Sequence, residues 1–466
     1  MKLVKSLLLG SAAGIAAVAG AQAADLPSRK AAPVEYVRVC SAYGAGFFYI
    51  PGTDTCLRVG GRVRAEYAIG SRYGDINDAY GSRARGRLNI DARTATAFGT
   101  LRTFFRYELT NSTGVYNNTL GGNQGIVVPG AARTTAPSTA SSANLDLAFV
   151  QFGPITAGRA QSFFDFYAND LGFTTVRTAD SRLNLLAYTA TFGSGFSATL
   201  SLEDRVSGTG SREAAIVSPG AVSSYLGQDY PDVVASLRVD QGWGSAQLSA
   251  ALTQRSINNV GPNGLNSAGV FVANKDEMGW AVQGGVKINL PMLAAGDFLF
   301  LQAAYADGAL GYLGWGGNFG SGRIAANNSP LVVGDFGVNG LGQVDSSTGW
   351  SIVAALRHMW TPTLRSELIA SYSELKLGYV LANQATGVGL VAAPLDPKEL
   401  IVAGNLIWSP VSGLDIGVEV LYTRTDMRQS VLASNNLGNR LAIGAGGSLV
   451  KADDAWAGRF RIQRDF

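Results

Sequence analysis

Apolar and polar residues alternate with a period of two along most of this chain. The last twelve positions, 455–466, read A-W-A-G-R-F-R-I-Q-R-D-F. Trp456, Gly458, Phe460, Ile462 and Phe466 fall on one set of alternate positions, with Arg464 the exception, and Ala457, Arg459, Arg461, Gln463 and Asp465 fall on the other. A helix would mix the two sets on every face, whereas a strand separates them. The same alternation sets Phe196, Ala198, Leu200 and Leu202 against Ser197, Thr199, Ser201 and Glu203, and Leu414, Ile416, Val418, Val420 and Tyr422 against Asp415, Gly417 and Glu419. It predicts about sixteen strands, over 57–69, 83–95, 99–109, 144–152, 155–161, 183–192, 196–204, 232–240, 243–253, 277–289, 298–306, 349–360, 363–374, 398–408, 413–424 and 455–466. Most are near the length of ~9–11 residues that a tilted strand needs to cross a bilayer.

The connections alternate between short turns and long loops. Short ones lie at 97–99, 153–154, 193–195, 241–242, 290–296, 361–362 and 409–412. Long ones lie at 70–82, 110–143, 162–182, 205–231, 254–276, 307–348, 375–397 and 425–454. Short turns on one rim and long, mostly surface loops on the other describe an outer-membrane barrel. Charged residues make up 15% of the 466 positions, below the ~25% usual for soluble domains. No stretch after the N-terminus is apolar for the ~18 residues that a membrane helix requires. Lipid offers the backbone no hydrogen-bond partner, so a membrane protein without spanning helices must close its strands into a barrel. A soluble array of β-sandwiches would need repeated domains joined by linkers, and the sequence shows neither.

Residues 1–23 read as a secretory leader. Lys2 and Lys5 precede an apolar run from Leu7 to Ala19, and Ala21-Gln22-Ala23 supplies the small-x-small cleavage site. The expected division is a leader over 1–23, a periplasmic segment over 24–56 and a barrel over 57–466. Removing Lys2 and Lys5 from the 37 basic residues leaves 35 against 34 acidic ones, which gives no case for a nucleic-acid partner. Cys40 and Cys56 are the only cysteines, and in a secreted chain such a pair is expected to form a disulfide. No metal or cofactor is expected, because only His358 would join the cysteines as a ligand. His358 lies in phase with Trp350, Ile352, Ala354, Leu356 and Trp360, which suits a residue on the outer face better than a general base. An outer-membrane enzyme of the Ser–His type is therefore not expected. The Gly-rich 314–322 stretch misses the dinucleotide spacing and reads as loop.

Three segments resemble the alphaproteobacterial porins of the Brucella and Rhizobium type. They are D-L-P-S-R-K-A-A-P-V-E-Y-V-R-V-C-S-A-Y-G-A-G-F-F-Y-I-P-G-T-D-T-C-L-R-V-G-G (25–61), T-A-G-R-A-Q-S-F-F-D-F (156–166) and the terminal strand ending in Phe466. The resemblance spans the whole chain. It implies a homotrimer in outer-membrane lipid, with sixteen strands per chain and the third long loop folded into the lumen, passing small hydrophilic solutes and ions by general diffusion. It also implies that Phe466 serves as a C-terminal assembly signal. The fold class is thus all-β, a transmembrane antiparallel β-barrel of about 16 strands with a loop folded into the lumen.

A pore needs a water-filled lumen, a width and a field rather than a catalytic group. The polar faces of the first three strands carry Arg58, Arg62 and Arg64, then Arg83, Arg85, Arg87 and Arg93, then Arg102 and Arg106, tempered by Glu66, Asp91 and Glu108. Strands ~4.8 Å apart would merge these into one basic wall. The 162–182 loop carries Asp165, Asp170 and Asp180 among Phe163, Phe164, Phe166, Tyr167 and Phe173. Read alone, it is as well described as an exposed loop with scattered acids. The resemblance implies a constriction in which the aromatics pack on the wall and the carboxylates face the arginines. The competing functions are a substrate-selective porin and an adhesin-like surface barrel acting through its long loops. The lumen-phase aromatics Phe104, Phe298 and Phe300 are too few to indicate a sugar pathway.

Overall fold

The computed structural model describes residues 38–70, 79–116, 139–205, 212, 215–218, 221–223, 229–257, 275–315, 333–338, 343–379, 394–432 and 449–466. The leader expected over 1–23 lies outside them. The chain divides into two compact units, residues 1–57 and 58–466. In the first, Cys40 and Cys56 are joined by a disulfide. The short strand β1 (Phe48–Tyr49) pairs antiparallel with Cys56 and Leu57, and Phe47 is buried with the two cysteines.

The second unit is a closed antiparallel barrel. Its strands are β2 (Cys56–Gly70), β3 (Tyr80–Thr96), β4 (Gly99–Thr113), β5 (Thr139–Phe152), β6 (Ile155–Gln161), β7 (Arg182–Gly193) and β8 (Phe196–Glu203). Two short strands, β9 (Ala215–Ser218) and β10 (Ala221–Ser223), leave the wall. It resumes with β11 (Asp232–Gln241), β12 (Gly244–Ile257), β13 (Lys275–Asn289) and β14 (Phe298–Asp307). After the short β15 (Gly334–Val338) and β16 (Val344–Ser346), it is completed by β17 (Thr348–Thr361), β18 (Leu364–Lys376), β19 (Lys398–Val411), β20 (Leu414–Leu432) and β21 (Leu449–Asp465). Among the described residues sixteen strands form the wall, one for each predicted span. Pairing of β21 with β2 closes it, with Arg62 opposite Asp465 and Gly70 opposite Ala457.

The barrel is inside out relative to a soluble protein. Ser201, Ser249, Gln283, Ser371 and Glu399 are buried, while Leu200, Leu248, Leu252, Leu368 and Val418 are exposed. Ser249 is 1% exposed and its neighbour Leu248 60%. So extensive an apolar surface is stable only against lipid. Outward aromatic pairs on adjacent strands, Trp280 with Tyr305, Trp350 with Tyr372 and Tyr422 with Trp456, stand toward the long-loop rim. Trp243, Trp360 and Trp408 stand near the short-turn rim. These are the aromatic belts expected where strands leave the hydrocarbon.

Two of the long loops are not simply surface segments. Parts of 205–231 and 307–348 fold back as a small sheet in which β9 pairs with β10 and, in parallel, with β15, and β15 pairs with β16. Beside it Leu310, Tyr312, Leu313 and Trp315 are buried with Leu375, Leu377 and Leu395 against the wall alanines Ala251, Ala281, Ala304 and Ala306. Small wall residues leave room for these large loop side chains. Gly308 makes the turn into this layer at φ 61°, and a Cβ there would lie 2.5 Å from the Phe336 ring.

Candidate functional site

The wall predicted to be basic is assembled by alternation and register. Arg83, Arg85 and Arg87 on β3 stand opposite Ser112, Thr110 and Glu108 on β4. Closure of the barrel adds a fourth strand. Arg62, Arg64, Glu66 and Ala68 stand opposite Asp465, Gln463, Arg461 and Arg459. The wall is an ion-pair lattice rather than a bare positive stripe. Arg62 reaches Asp465 at 2.5 Å, Arg83 reaches Glu66 at 2.5 Å and Arg87 reaches Glu108 at 2.5 Å, with Arg85 3.5 Å from the same Glu108. Arg93 and Arg102 share Asp91 at 2.8 and 3.0 Å, and Arg106 pairs with Asp146 at 3.3 Å. Arg64 donates to the Gln463 side chain at 2.9 Å. Arg58 is exposed and has no ion-pair partner among the described residues. Leaving Arg58 aside, Arg62, Arg64, Arg83, Arg85, Arg87, Arg93, Arg102, Arg106, Arg459 and Arg461 face Glu66, Asp91, Glu108, Asp146 and Asp465, so positive charge is in excess.

The loop between β6 and β7, residues 162–181, crosses the lumen and is held mainly through its backbone. At its root the Ser162 hydroxyl and the Phe163 amide donate to Glu203 at 2.6 and 3.0 Å. Further along, Gln283 donates to the Phe164 carbonyl at 2.9 Å, and the Tyr167 amide donates to Gln302 at 2.8 Å. At the tip, the Gly172 amide donates to Glu367 at 2.7 Å and the Phe173 amide to Glu419 at 2.5 Å. Arg459 and Arg461 both donate to the Phe173 carbonyl, and the Arg461 guanidinium lies 3.9 Å from the Phe173 ring centroid. Arg177 pairs with the buried Glu399 at 2.7 Å and covers Trp315. The aromatics of the loop pack inward. Phe164 lies on Tyr312, and Phe166 and Tyr167 lie on Phe300.

The three loop acids divide. Asp170 is exposed. Asp180 accepts from Asn169 at 3.1 Å and pairs with Arg182 at 3.4 Å, and Arg182 in turn reaches Asp146 of the basic wall at 3.2 Å. Asp165 departs from its expected place facing the arginines of β2–β4. Its side chain is 0% exposed and pairs at 2.9 Å with Arg212, which is 0% exposed and also reaches Glu203 at 3.3 Å. The counter-ion comes from a loop 47 residues away, a partner that local spacing does not reveal. Sequence reasoning also left Arg459 and Arg461 out of the wall, although their alternation with Trp456, Gly458 and Phe460 was visible. Their adjacency to β2 exists only once the barrel closes.

Burial pushes the Asp165 carboxyl up to about 7, outweighing the positive charge of Arg212 and the amide hydrogen bond from Ser181. The sign follows from linkage. The folded value lies above the unfolded ~3.9, so the contribution to stability is present at low pH and is lost as pH rises toward about 7. Amide protection of the loop root around Ser181, corrected for intrinsic exchange, should therefore increase from pH 8 to pH 5. Asp165→Asn should abolish that trend, and a trend unchanged in the variant would assign it to another group.

His358 lies in the outward phase, its ring edge-on to Trp360 and its Nδ1 2.6 Å from Asp297. Phe104 stacks on Phe149 with ring centroids 5.4 Å apart. The sequence profile of the porin subfamily matches residues 25–442. The chain belongs to the porin family. Over 479 aligned residues this porin is 28% identical to porin Omp2b of Brucella abortus (strain 2308), with 99% of each chain covered. It is equally similar to porin Omp2b of Brucella melitensis biotype 1. In fold it is similar to the outer membrane channel DcaP of Acinetobacter baumannii, with a TM-score of 0.57 and 15% identity over 90% of this chain and 99% of that one. The porin is an outer-membrane β-barrel that forms a diffusion channel.

Proposed function

We propose that this porin passes small hydrophilic solutes and ions non-specifically and without catalysis, through a waist between the arginine wall and the 162–181 loop. The observation that carries the reading is the loop itself, which runs from β6 across the lumen to Glu367, Glu419 and Arg461 on the far wall. The transverse field is set on one side by the excess arginines, and on the other by Asp170 and Asp180. In this reading Asp165 fixes the loop and takes no part in the field. Phe466, whose backbone exchanges hydrogen bonds with Gly61 at 2.9 and 3.0 Å, is the C-terminal assembly signal at the closing seam. The porin works as a homotrimer in outer-membrane lipid. Its outward face over β2–β5 supports this assembly: Val63, Ala84, Gly86, Leu109 and Ala143 line a shallow, mostly apolar hollow beside the Asn111–Ser141 hydrogen bond at 2.9 Å, a place for a second copy to fill.

Thr175 is exposed on the loop and offers a test. Thr175→Cys labelled with a bulky charged thiol reagent should lose roughly half or more of its conductance in planar bilayers. Conductance unchanged by complete labelling would remove the loop from the waist. Native mass spectrometry of the same sample should find three labels per assembly, and a single-copy mass would exclude the trimer.

A further inference from the structure

Below the loop, beside the short turn that joins β11 to β12, the lumen wall carries a recess of about 500 Å³. That is within the range of ~300–1,000 Å³ in which small molecules are held. Phe166 and Phe300 form its apolar side, and Arg238, Asp240, Lys287 and Asp170 its polar side. The charges are not equivalent. Arg238 is satisfied by a two-pronged contact with Asp240 at 2.7 and 2.8 Å and by Gln247 at 3.3 Å. Lys287 has no carboxylate within ion-pair distance among the described residues. Its ammonium lies 4.3 Å from the Phe298 ring centroid and 5.3 Å from that of Phe300. Asp170 has no hydrogen-bond or ion-pair partner among the described residues. Asp170 from the loop and Lys287 from the wall thus line the same recess with no ion pair between them.

We propose that this recess is a solute subsite for small zwitterions such as α-amino acids. The solute carboxylate pairs with Lys287 and the ammonium pairs with Asp170. A solute with both charges completes two half-satisfied groups at once, whereas a singly charged one leaves one of them unmatched. The rings already hold the Lys287 ammonium in place, so little ordering is needed when a carboxylate arrives. The subsite rests on the channel reading and adds a preference to it.

The test is current-noise analysis of reconstituted channels with three probes of similar size: L-phenylalanine, 3-phenylpropionate and phenethylamine. L-phenylalanine should bind about three- to fivefold more tightly than either singly charged analogue, the range expected of one partly exposed ion pair. Lys287→Gln should erase its advantage over phenethylamine, and Asp170→Asn its advantage over 3-phenylpropionate. Equal binding of the three probes, or the same preference in both variants, overturns the subsite while KCl current through the same channels upholds the porin. An inserted protein that carries no KCl current would overturn the channel reading itself.

Discussion

Replacing Arg85 and Arg87 together by alanine is expected to turn this channel toward cations. Glu108 lies 2.5 Å from Arg87 and 3.5 Å from Arg85, and its side chain is only 8% exposed. The three groups together carry one positive charge, and the double substitution leaves one negative charge in its place. A change of that size beside a narrow water path should alter the cation-to-anion permeability ratio by roughly threefold at 0.1 M salt, read from the reversal potential under a KCl gradient. At 1 M, where the screening length falls to about 3 Å, most of the shift should disappear. Asp170→Asn should move the reversal potential the opposite way. Asp165→Asn should leave it where it is, because that carboxyl is sealed against Arg212. A reversal potential at low salt that ignores Arg85 and Arg87 would show that the wall does not set the field.

The second large effect is expected at Glu66, on stability. Its carboxylate is 0% exposed and accepts from Arg83 at 2.6 Å and from Arg461 at 2.9 and 2.6 Å, with Arg459 3.6 Å away. Among the described residues it is the one carboxylate within ion-pair distance of arginines on both β3 and β21, the strands flanking β2. Glu66→Gln keeps the shape and removes the charge, leaving three crowded guanidinium groups beside a neutral amide. Removing one partner from a buried ion cluster costs about 3–5 kcal/mol. The variant should therefore lose its compact, heat-resistant gel migration at a clearly lower temperature than the parent. Combining it with Arg461→Met should recover part of the loss by removing the most closely paired cation. An unchanged thermal transition in Glu66→Gln would mean that the cluster adds nothing to closure.

The wall of this protein was legible in its sequence because lipid outside and water inside impose a period of two on every spanning strand. Each of the sixteen predicted spans has its strand. The strands overshoot mainly at the long-loop ends, as where β20 runs on to Leu432 and β21 begins at Leu449, because backbone pairing continues after the apolar alternation has stopped. The interior was less legible. Tyr312 and Trp315 are buried in a fold-back layer whose side chains follow no period, so nothing separated them from ordinary loop residues. Arg212 meets Asp165 only through tertiary folding, and Arg461 meets Glu66 only through closure between opposite ends of the chain. The arginines of β2, β3 and β4 could be assigned to one wall because those strands are consecutive. Their pairing into a lattice with Asp146, Arg459 and Arg461 could not.

The crossing loop is fastened chiefly by main-chain groups: the amides of Phe163, Tyr167, Gly172 and Phe173 reach acceptors on the wall, and the carbonyls of Phe164 and Phe173 receive donors from it. Most side chains can be exchanged without removing such anchors. Asp170 and Thr175, which look into the water path, are therefore open to replacement with little risk to the mooring of the loop. A lineage carrying this barrel could change which solutes it admits by single steps at those positions, and selectivity could drift quickly while the frame that presents it stays still.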